Sequence, residues 1–361
     1  MSQELHEPAG LHELAGVIHC HSVLSDGMGT VPHILRAAAR AGLDYLILTD
    51  HDTLAAREPG DASPGQGYQG GLLFLVGSEV SPPVNHYLAL GAAVSPPNTE
   101  PLQKVIDEVR DTGGLGFVAH PHDRGNRLLK VADYPWKDRD VQGYTGLEVW
   151  NFFSQLLGAA VGVWGVLGAI FAPYRLVSRP QPETLALWDQ LGRERAVPAL
   201  GGVDAHGITP GLLRLPLVVT NYRLMLKTVW THALLDRPVS GDWREDGRAL
   251  LEAVGRGRSY LSSPGGPASR GFRLWAEGPE GALQMGDEGR ISGGPYQLRL
   301  TLPARADVRL VWNGNTAAQR SGVRSWNFTV KEPGVYRVEV YRRSLAGTRL
   351  WILSNAVYLR P

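Results

Sequence analysis

The chain has 361 residues, of which 43% are hydrophobic, and its formal net charge at pH 7 is +1. This length is ample for a buried core and predicts one large domain with a smaller one. A nearly neutral chain lacks the basic surface of a nucleic-acid-binding protein, so no stable nucleic-acid complex is expected. The single cysteine, Cys20, excludes a disulfide framework. Residues 1–16 lack the basic start and apolar run of a signal peptide, and we expect a cytoplasmic protein.

Strand and helix patterns alternate along residues 11–262. An apolar run ends at His19, helical spacing follows from Pro32 to Gly42, and a second apolar run ends at residue 52. This β-α-β unit predicts a buried parallel sheet. Further strands are predicted near residues 71–81, 85–92, 115–122, 145–151 and 196–207, with helices over 101–114 and 182–195. The alternation is typical of a βα barrel, an α/β fold whose chemistry lies at the C-terminal ends of the strands.

The pattern changes after about residue 262. A Gly/Pro/Ser-rich linker leads into residues 268–361, where apolar and polar residues alternate between turns, which predicts an all-β sandwich. This segment holds 14 Lys and Arg against 7 Asp and Glu. The excess of basic residues fits either a domain that docks on the barrel by complementary charge or a surface that attracts anionic partners.

Side chains that bind metals follow most of the predicted barrel strands. Because side chains alternate along a strand, His19 and His21 are expected on one face, where both can reach one ion. Imidazole with carboxylate suits zinc, manganese or iron, and the lack of thiolates argues against a structural zinc site. Nine ligands are too many for one ion and suit two or three divalent ions bridged by carboxylates. These nine side chains are His19, His21, Asp26, His51, Glu79, His86, His120, Asp204 and His206.

Five motifs in this order resemble those of the PHP (polymerase and histidinol phosphatase) family: HCHSVLSDG, LTDHDTL, GSEVS, AHP and GVDAH. The resemblance covers about residues 16–262. It implies a distorted seven-stranded βα barrel over residues 11–262, and the C-terminal region resembles the tail of some PHP hydrolases, here expected to be an immunoglobulin-like sandwich over 268–361. Some members carry histidine where this chain has Asp26, which places the chain in the Asp-containing branch.

The resemblance also implies a ligand assignment. One ion would be bound by His19, His21 and Asp204, and Glu79 would bridge it to a second ion. The second ion would be held by His86 and His120, and a third by Asp26, His51 and His206.

The family resemblance and the ligand set together predict a metal-dependent phosphoesterase that uses a metal-bound hydroxide at a di- or trinuclear centre. The substrate is expected to be a small-molecule or nucleotide phosphoester. The leaving group would take its proton from a metal-bound water, from His122 or from Asp52. Two alternatives remain open: an amide, ester or carbamate hydrolase on the same site, and a non-catalytic metal-binding module.

Several other residues have two open interpretations each. Asp50 or Asp52 could orient an imidazole or cap a turn, and Glu148 and Asn151 could line the pocket or cap a helix. Two arginines in loops, Arg127 and Arg175, could contact a phosphate. Cys20, between two histidines, is expected to be a small core residue.

Residues 156–173 are uncharged and just reach the length of a membrane span. Predicted metal ligands lie on both sides of this segment in the chain, and a crossing would separate them across the bilayer. We therefore expect no membrane span. The segment is predicted to be a buried helix or an apolar flap beside the active site, with self-association or another surface contact as a further role.

Overall fold

The computed structural model describes residues 10–207, 221–344 and 347–361. Strands of the N-terminal part are β1 (His12–Cys20), β2 (Tyr45–Leu48), β3 (Pro59–Gly60), β4 (Ser63–Pro64), β5 (Gly67–Gln69), β6 (Leu72–Val76), β7 (Ser78–Val80), β8 (Tyr87–Leu90), β9 (Leu115–Val118), β10 (Gly146–Asn151), β11 (Ala199–Ala205), β12 (Trp230–Leu235) and β13 (Ser259–Ser262). The helices are α1 (Val31–Ala41), α2 (Leu102–Asp111), α3 (Phe152–Ala159), α4 (Gly162–Phe171), α5 (Pro173–Leu176), α6 (Pro182–Glu194), α7 (Tyr222–Met225) and α8 (Trp243–Gly255). The C-terminal strands are β14 (Arg273–Gly278), β15 (Gly281–Gln284), β16 (Glu288–Arg290), β17 (Tyr296–Trp312), β18 (Asn315–Val330), β19 (Gly334–Ser344), β20 (Gly347–Ser354) and β21 (Val357–Arg360). The α/β class predicted from the sequence is confirmed.

The N-terminal strands pair in a ring. β1 pairs in parallel with β2 and β2 with β6, while β9, β10, β11 and β1 are joined by three further parallel pairings. β7 continues β6 after Gly77, and β8 connects β7 to β9. Both contacts of β8 are antiparallel, so the prediction of a purely parallel sheet is wrong at this strand. The connection between β7 and β8 spans only residues 81–86, which is too short for a parallel crossover.

The first helix shows why the local sequence folds as predicted. The side chain of Thr30 accepts a hydrogen bond from the backbone N–H of His33, and Pro32 occupies the first turn. Gly42 ends α1 with φ of 84°, a left-handed conformation that glycine adopts without strain. Ile34 and Ala38 lie on the buried face, which packs against the strands of the ring.

The C-terminal strands enclose their own apolar core and join the N-terminal sheet through β13 and β20, which pair antiparallel. Asn355 reinforces this junction. Its side chain accepts from the backbone N–H of Ala199 (2.7 Å) and donates to the carbonyls of Ala199 (2.9 Å) and Ser259 (3.0 Å). The buried amide of Asn355 thus links the backbones of β11 and β13 by hydrogen bonds. We call this hydrogen-bonded boundary between the barrel and the C-terminal strands the seam.

The apolar segment 156–173 forms the end of α3 and all of α4. Residues 160–161 separate the two helices, and α4 begins at Gly162, whose φ is 64°. None of the ten residues of α4 is buried, and the side chain of Trp164 is 85% exposed. The buried-helix interpretation is therefore wrong for α4. Within the described ranges, no helix combines the length and apolar character needed to cross a bilayer.

Candidate metal centre

The structure brings the nine predicted metal ligands together at the strand ends. They form three groups, and the candidate ligand atoms within each group lie within 4.8 Å of one another. The groups are His19, His21, Glu79 and Asp204; Glu79, His86 and His120; and His21, Asp26, His51 and His206. Two residues, Glu79 and His21, each belong to two groups, so the three groups are continuous. Cys20 belongs to none of them and packs in the core as expected.

Glu79, on β7, lies at the centre of the cluster and is 1% exposed. Its Oε1 lies 2.9 Å from His86 Nδ1 and 3.0 Å from His120 Nε2. Its Oε2 lies 3.1 Å from His19 Nε2, 3.2 Å from His51 Nδ1 and 3.3 Å from His21 Nε2. The two carboxylate oxygens therefore face two different sets of histidines, which is the arrangement that a bridging ligand requires.

Two further carboxylates complete the cluster. Asp204 Oδ1 lies 3.2 Å from His21 Nε2 and 3.4 Å from His206 Nδ1. Asp26 Oδ1 lies 3.3 Å from His206 Nε2 and 3.5 Å from His51 Nε2. Asp204 is buried, whereas the side chain of Asp26 is 56% exposed. The group that contains Asp26 is thus the one most open to solvent.

Backbone strain marks three of these residues. His19, His120 and Asp204 have φ of 70°, 25° and 58°, in the left-handed region that costs a non-glycine residue about 1–3 kcal/mol. Each lies at the end of a barrel strand. The pairing of β1 with β11 also shifts register at His19, because Ile18 pairs with Gly202 and Cys20 with Ala205. His19 and His21 therefore converge through an irregular strand end, and the regular alternation predicted from the sequence is wrong here.

Glu148 and Asn151, at the end of β10, hydrogen-bond to ligands of the cluster or to each other on the side away from the three ligand groups. Glu148 Oε1 lies 2.7 Å from His19 Nδ1, while Oε2 accepts from the backbone N–H of His120 and from Asn151 Nδ2. A carboxylate behind an imidazole fixes the ring orientation and raises its basicity as a ligand. Gly202 makes room for this contact, since a Cβ there would lie 1.6 Å from Glu148 Oε1.

Charges inside the cluster shift its pKa values strongly. Burial raises the pKa of the Glu79 carboxyl, but His19 and His86 outweigh burial and hold it well below its usual range. Burial lowers the pKa of His206, yet Asp204 and Asp26 raise it to about 9. Burial and the neighbouring His206 lower the pKa of His21 to about 3. The carboxylates are therefore held ionised, and His21 is held neutral, with one ring nitrogen able to donate a lone pair to an ion.

Four buried imidazole nitrogens have no hydrogen-bond partner among the described residues: His19 Nε2, His21 Nδ1, His21 Nε2 and His120 Nδ1. Buried polar atoms in native proteins are nearly always hydrogen-bonded, because leaving one unpaired costs about 1–3 kcal/mol. Three of these four nitrogens belong to the group that also contains Glu79 and Asp204. Unpaired nitrogens beside ionised carboxylates are the donor set that zinc, manganese or iron prefers, so the residues present fit divalent ions.

A cavity of about 1100 Å³ opens onto the cluster. Its wall includes Asp52, Asn98 and Asp123 together with apolar groups from Pro82, Pro101, Val131, Tyr134, Phe153 and Leu157. The described residues of the wall include no lysine or arginine. The structure does not place Arg127 or Arg175 at this cavity.

The two predicted proton donors occupy different positions. Asp52 lies in the cavity wall, where Oδ1 accepts from the backbone N–H of Ser81 (2.9 Å) and Oδ2 from Asn98 Nδ2 (2.7 Å). His122 is absent from the described wall, and its Nδ1 lies 2.9 Å from Thr184 Oγ1, at the start of α6. Burial and the nearby Arg139 lower the pKa of His122.

Sequence reasoning did not identify the groups that orient several ligands. Ser81 Oγ lies 2.5 Å from His51 Nδ1, the ring of Tyr134 stacks on His86 at 4.4 Å, and the ring of Phe153 lies 5.4 Å from that of His206. For Asp50, the sequence left open whether it orients an imidazole or caps a turn, and in the structure it accepts hydrogen bonds from Ser22 and Ser25. It thereby fixes the loop that carries Asp26. Of the groups that orient ligands, only Ser81 could have been identified from the sequence, because it lies in the motif GSEVS.

No family model and no curated protein sequence matches the chain. Solved structures similar to the chain include the following three. A two-domain protein from Bacteroides vulgatus, containing a predicted PHP-like metal-dependent phosphoesterase, is 15% identical over 96% of each chain, with a TM-score of 0.47. A protein from Bifidobacterium adolescentis, provisionally assigned as a metal-dependent phosphoesterase, is 19% identical over 56% of this chain and 91% of its own, with a TM-score of 0.34. An amidohydrolase from Chromobacterium violaceum, solved with sulfate and without metal, is 19% identical over 54% of this chain and 88% of its own, with a TM-score of 0.29. All three are likenesses at low identity, with TM-scores below 0.5.

Proposed function

We propose that the chain is a metal-dependent hydrolase that acts on phosphoesters with two or three divalent ions of zinc, manganese or iron. The observation that carries this proposal is the combination of a buried carboxylate hub, Glu79, with four unpaired imidazole nitrogens around it. A structural histidine cluster would pair these nitrogens with protein donors and acceptors. A metal-binding cluster leaves them for the ions.

The architecture proposed for this function is a seven-stranded PHP-type barrel over residues 11–262 and a β-sandwich of the immunoglobulin-like kind over residues 268–361. The ring of pairings through β1, β2, β6–β7, β8, β9, β10 and β11 supports the barrel. The separate apolar core of β14–β21 supports the second domain.

The nine side chains divide the work of holding the ions. Glu79 would bridge two ions, because its oxygens face His19 with His21 on one side and His86 with His120 on the other. Asp26, with His51 and His206, would hold a further ion at the open edge of the cavity. Divalent ions in such a site act as Lewis acids on phosphoryl oxygens and lower the pKa of water, so that a nucleophile is present at neutral pH.

The rest of the chain orients and shields the reaction. Glu148 holds His19 and the backbone of His120, and Ser81 holds His51, so the ligands keep their positions without substrate. The ring of Tyr134 covers His86 and narrows access by water. Asp52 is the better placed of the two candidate proton donors, since it lies in the cavity wall. His122 would act only through Thr184 and α6.

A specific observation favours a second candidate, an amide, ester or carbamate hydrolase. Phosphate sites in proteins commonly use arginine or lysine, and none is present among the described wall residues. A neutral carbonyl substrate needs no such cation, and the same activated water would attack it. A non-catalytic metal-binding module is disfavoured, because the full ligand set surrounds a cavity large enough for a substrate.

Parallel assays on the metal-loaded full chain separate these candidates. We expect hydrolysis of bis(4-nitrophenyl) phosphate to exceed that of 4-nitrophenyl acetate, to disappear after chelation and to return when metal is added back. Preferential metal-dependent turnover of the acetate ester would favour the carbonyl hydrolase. Absence of metal-dependent turnover on both classes of substrate would contradict the enzyme proposal.

A further inference from the structure

Helix α4 presents an apolar stripe to solvent. Val163, Trp164, Leu167 and Phe171 are 72%, 85%, 38% and 77% exposed. At 3.6 residues per turn these four positions fall within about 100° of the helix circumference, so they form one face. The opposite face of the helix packs on the protein, for example through Ala169, which lies against the hydrophobic core. Large apolar side chains gathered on one exposed face mark an interaction site.

A second apolar projection starts next to this helix. Residues 126–131 form a tight hairpin, closed by two backbone hydrogen bonds of 2.9 Å between Asn126 and Val131. Leu128 and Leu129, at its tip, are 63% and 52% exposed. The side chain of Asn126 donates to the carbonyls of Leu157 and Ala160, at the junction of α3 and α4. The base of the hairpin and the start of α4 are therefore adjacent on the protein surface.

Positive charge predominates around these projections. Residues 149–182 contain no aspartate or glutamate, and neither do residues 124–132. The hairpin carries Arg127 and Lys130, and Arg124 precedes it; all three are exposed. Arg124 pairs with Glu183 at 2.8 Å, so Arg127 and Lys130 contribute most of the local positive charge. The flanking acids Asp123 and Asp133 lie at the base of the hairpin rather than at its tip.

We propose that α4 and the 126–131 hairpin together form a docking surface for an anionic lipid membrane. An exposed tryptophan and phenylalanine on an apolar helix face, flanked by cations, is the combination that lies in the interface of a bilayer. A second copy of the chain fits less well, because an isologous contact would bring Arg127 and Lys130 of both copies together without compensating acids. Docking would also place the cavity mouth beside the lipid, since Val131 and Leu157 line that cavity.

Co-sedimentation of the full chain with vesicles tests this surface without any assay of turnover, so the outcome is independent of the proposed hydrolase. We expect binding to vesicles of phosphatidylcholine with 30% phosphatidylglycerol, and much weaker binding to pure phosphatidylcholine. The double variant Trp164→Asp/Phe171→Asp should bind at least tenfold more weakly. The double variant Arg127→Ala/Lys130→Ala should lose roughly 30-fold on the anionic vesicles, at about fivefold per cation.

Val239→Asp is the matched control. Val239 is an exposed apolar residue (45%) in the loop after β12, and the end of β12 pairs with the start of β1, at the end of the barrel opposite the metal centre. This variant should bind vesicles as the wild type does. The proposal is overturned if the wild type does not sediment with anionic vesicles, or if the Trp164→Asp/Phe171→Asp variant binds them equally well. It is also overturned if the wild type does not bind vesicles but forms a dimer in sedimentation velocity, and the Trp164→Asp/Phe171→Asp variant is monomeric.

Discussion

Among the described residues, one cluster of buried charge lies at the metal centre and another at the seam between the barrel and the C-terminal strands. At the seam, Arg337 on β19 is 2% exposed. It donates to both oxygens of Asp189 on α6 (2.8 Å each) and to Glu339 (2.6 Å). Each charged group there is hydrogen-bonded to an opposite charge from the chain itself. At the metal centre, four imidazole nitrogens have no hydrogen-bond partner among the described residues.

This difference separates structural charge from functional charge. A buried ion pair whose two partners both belong to the chain fixes two elements relative to each other. Removing one partner lowers the free energy of unfolding strongly, because the other charge stays buried alone. A buried cluster of carboxylates and imidazoles whose ring nitrogens lack hydrogen-bond partners is suited to bind ions from outside the chain. The seam should therefore contribute to stability and the metal centre to ligand binding, and substitutions in the two regions should have opposite signatures.

The largest effect is expected from Glu79→Gln. The amide keeps the shape of the side chain but removes the charge that faces two sets of histidines. Metal affinity and turnover should fall by more than the roughly 10–100-fold that loss of a supporting residue costs. The unfolding midpoint of the metal-free protein should change little. Metal titration and thermal melts on the same preparation check both parts, and turnover at the wild-type rate would contradict the proposed role of Glu79.

Arg337→Ala should show the opposite signature. It leaves Asp189 buried without its cation and Glu339 with only Arg309, 3.3 Å away. Breaking such a buried ion pair typically costs about 3–5 kcal/mol in the free energy of unfolding. Metal content per folded chain should not change. Arg343→Ala is the matched control, because Arg343 pairs with Asp307 at 2.6 Å but its side chain is 73% exposed. Such a surface pair contributes less than about 1 kcal/mol. Both losses are measured by denaturant unfolding. Equal losses in Arg337→Ala and Arg343→Ala would contradict the structural role assigned to the buried ion pair.

Glu148→Gln sharpens the comparison inside the metal centre. Glu148 supports His19 and His120 from behind and is not itself among the grouped ligands. We expect metal affinity to fall roughly 10–100-fold while full occupancy is still reached at high metal concentration. Isothermal titration with zinc or manganese measures this shift. A reduced number of bound ions at saturation would show instead that Glu148 is a ligand.

The smallest effect is expected from Glu13, which links β1 to the start of the C-terminal strands. Burial raises its pKa, but His232 and Arg273 outweigh burial and lower the pKa to about 2 from the usual 4.5. The folded-state pKa is depressed, so the stabilisation is complete above pH 4.5 and is lost as the pH falls towards 2. Glu13→Gln should cost at most about 3 kcal/mol at pH 7. The difference from the wild type should shrink below pH 4.5, and a difference independent of pH would contradict this account.

The sequence predicted most of what local pattern controls. Helix α1 was found from its spacing, Pro32 and Gly42, and most of the nine candidate ligands were found because they lie at or near the ends of predicted strands. Strand β8 was predicted but its antiparallel direction was not, since apolar composition does not encode strand direction. The exposure of α4 was missed for a related reason, because an apolar run has the same sequence whether a partner covers it or not. The contacts of Ser81, Tyr134 and Phe153 depend on packing between distant segments, which no local spacing reports.

The most direct test is the metal content of the full chain, purified without chelator and measured by mass spectrometry against protein concentration. The account predicts two or three equivalents of zinc, manganese or iron per chain, and a clear loss in Glu79→Gln prepared in the same way. Less than one equivalent in the wild type, persisting after metal is added back, would contradict it, because the unpaired imidazole nitrogens around Glu79 would then serve no ion.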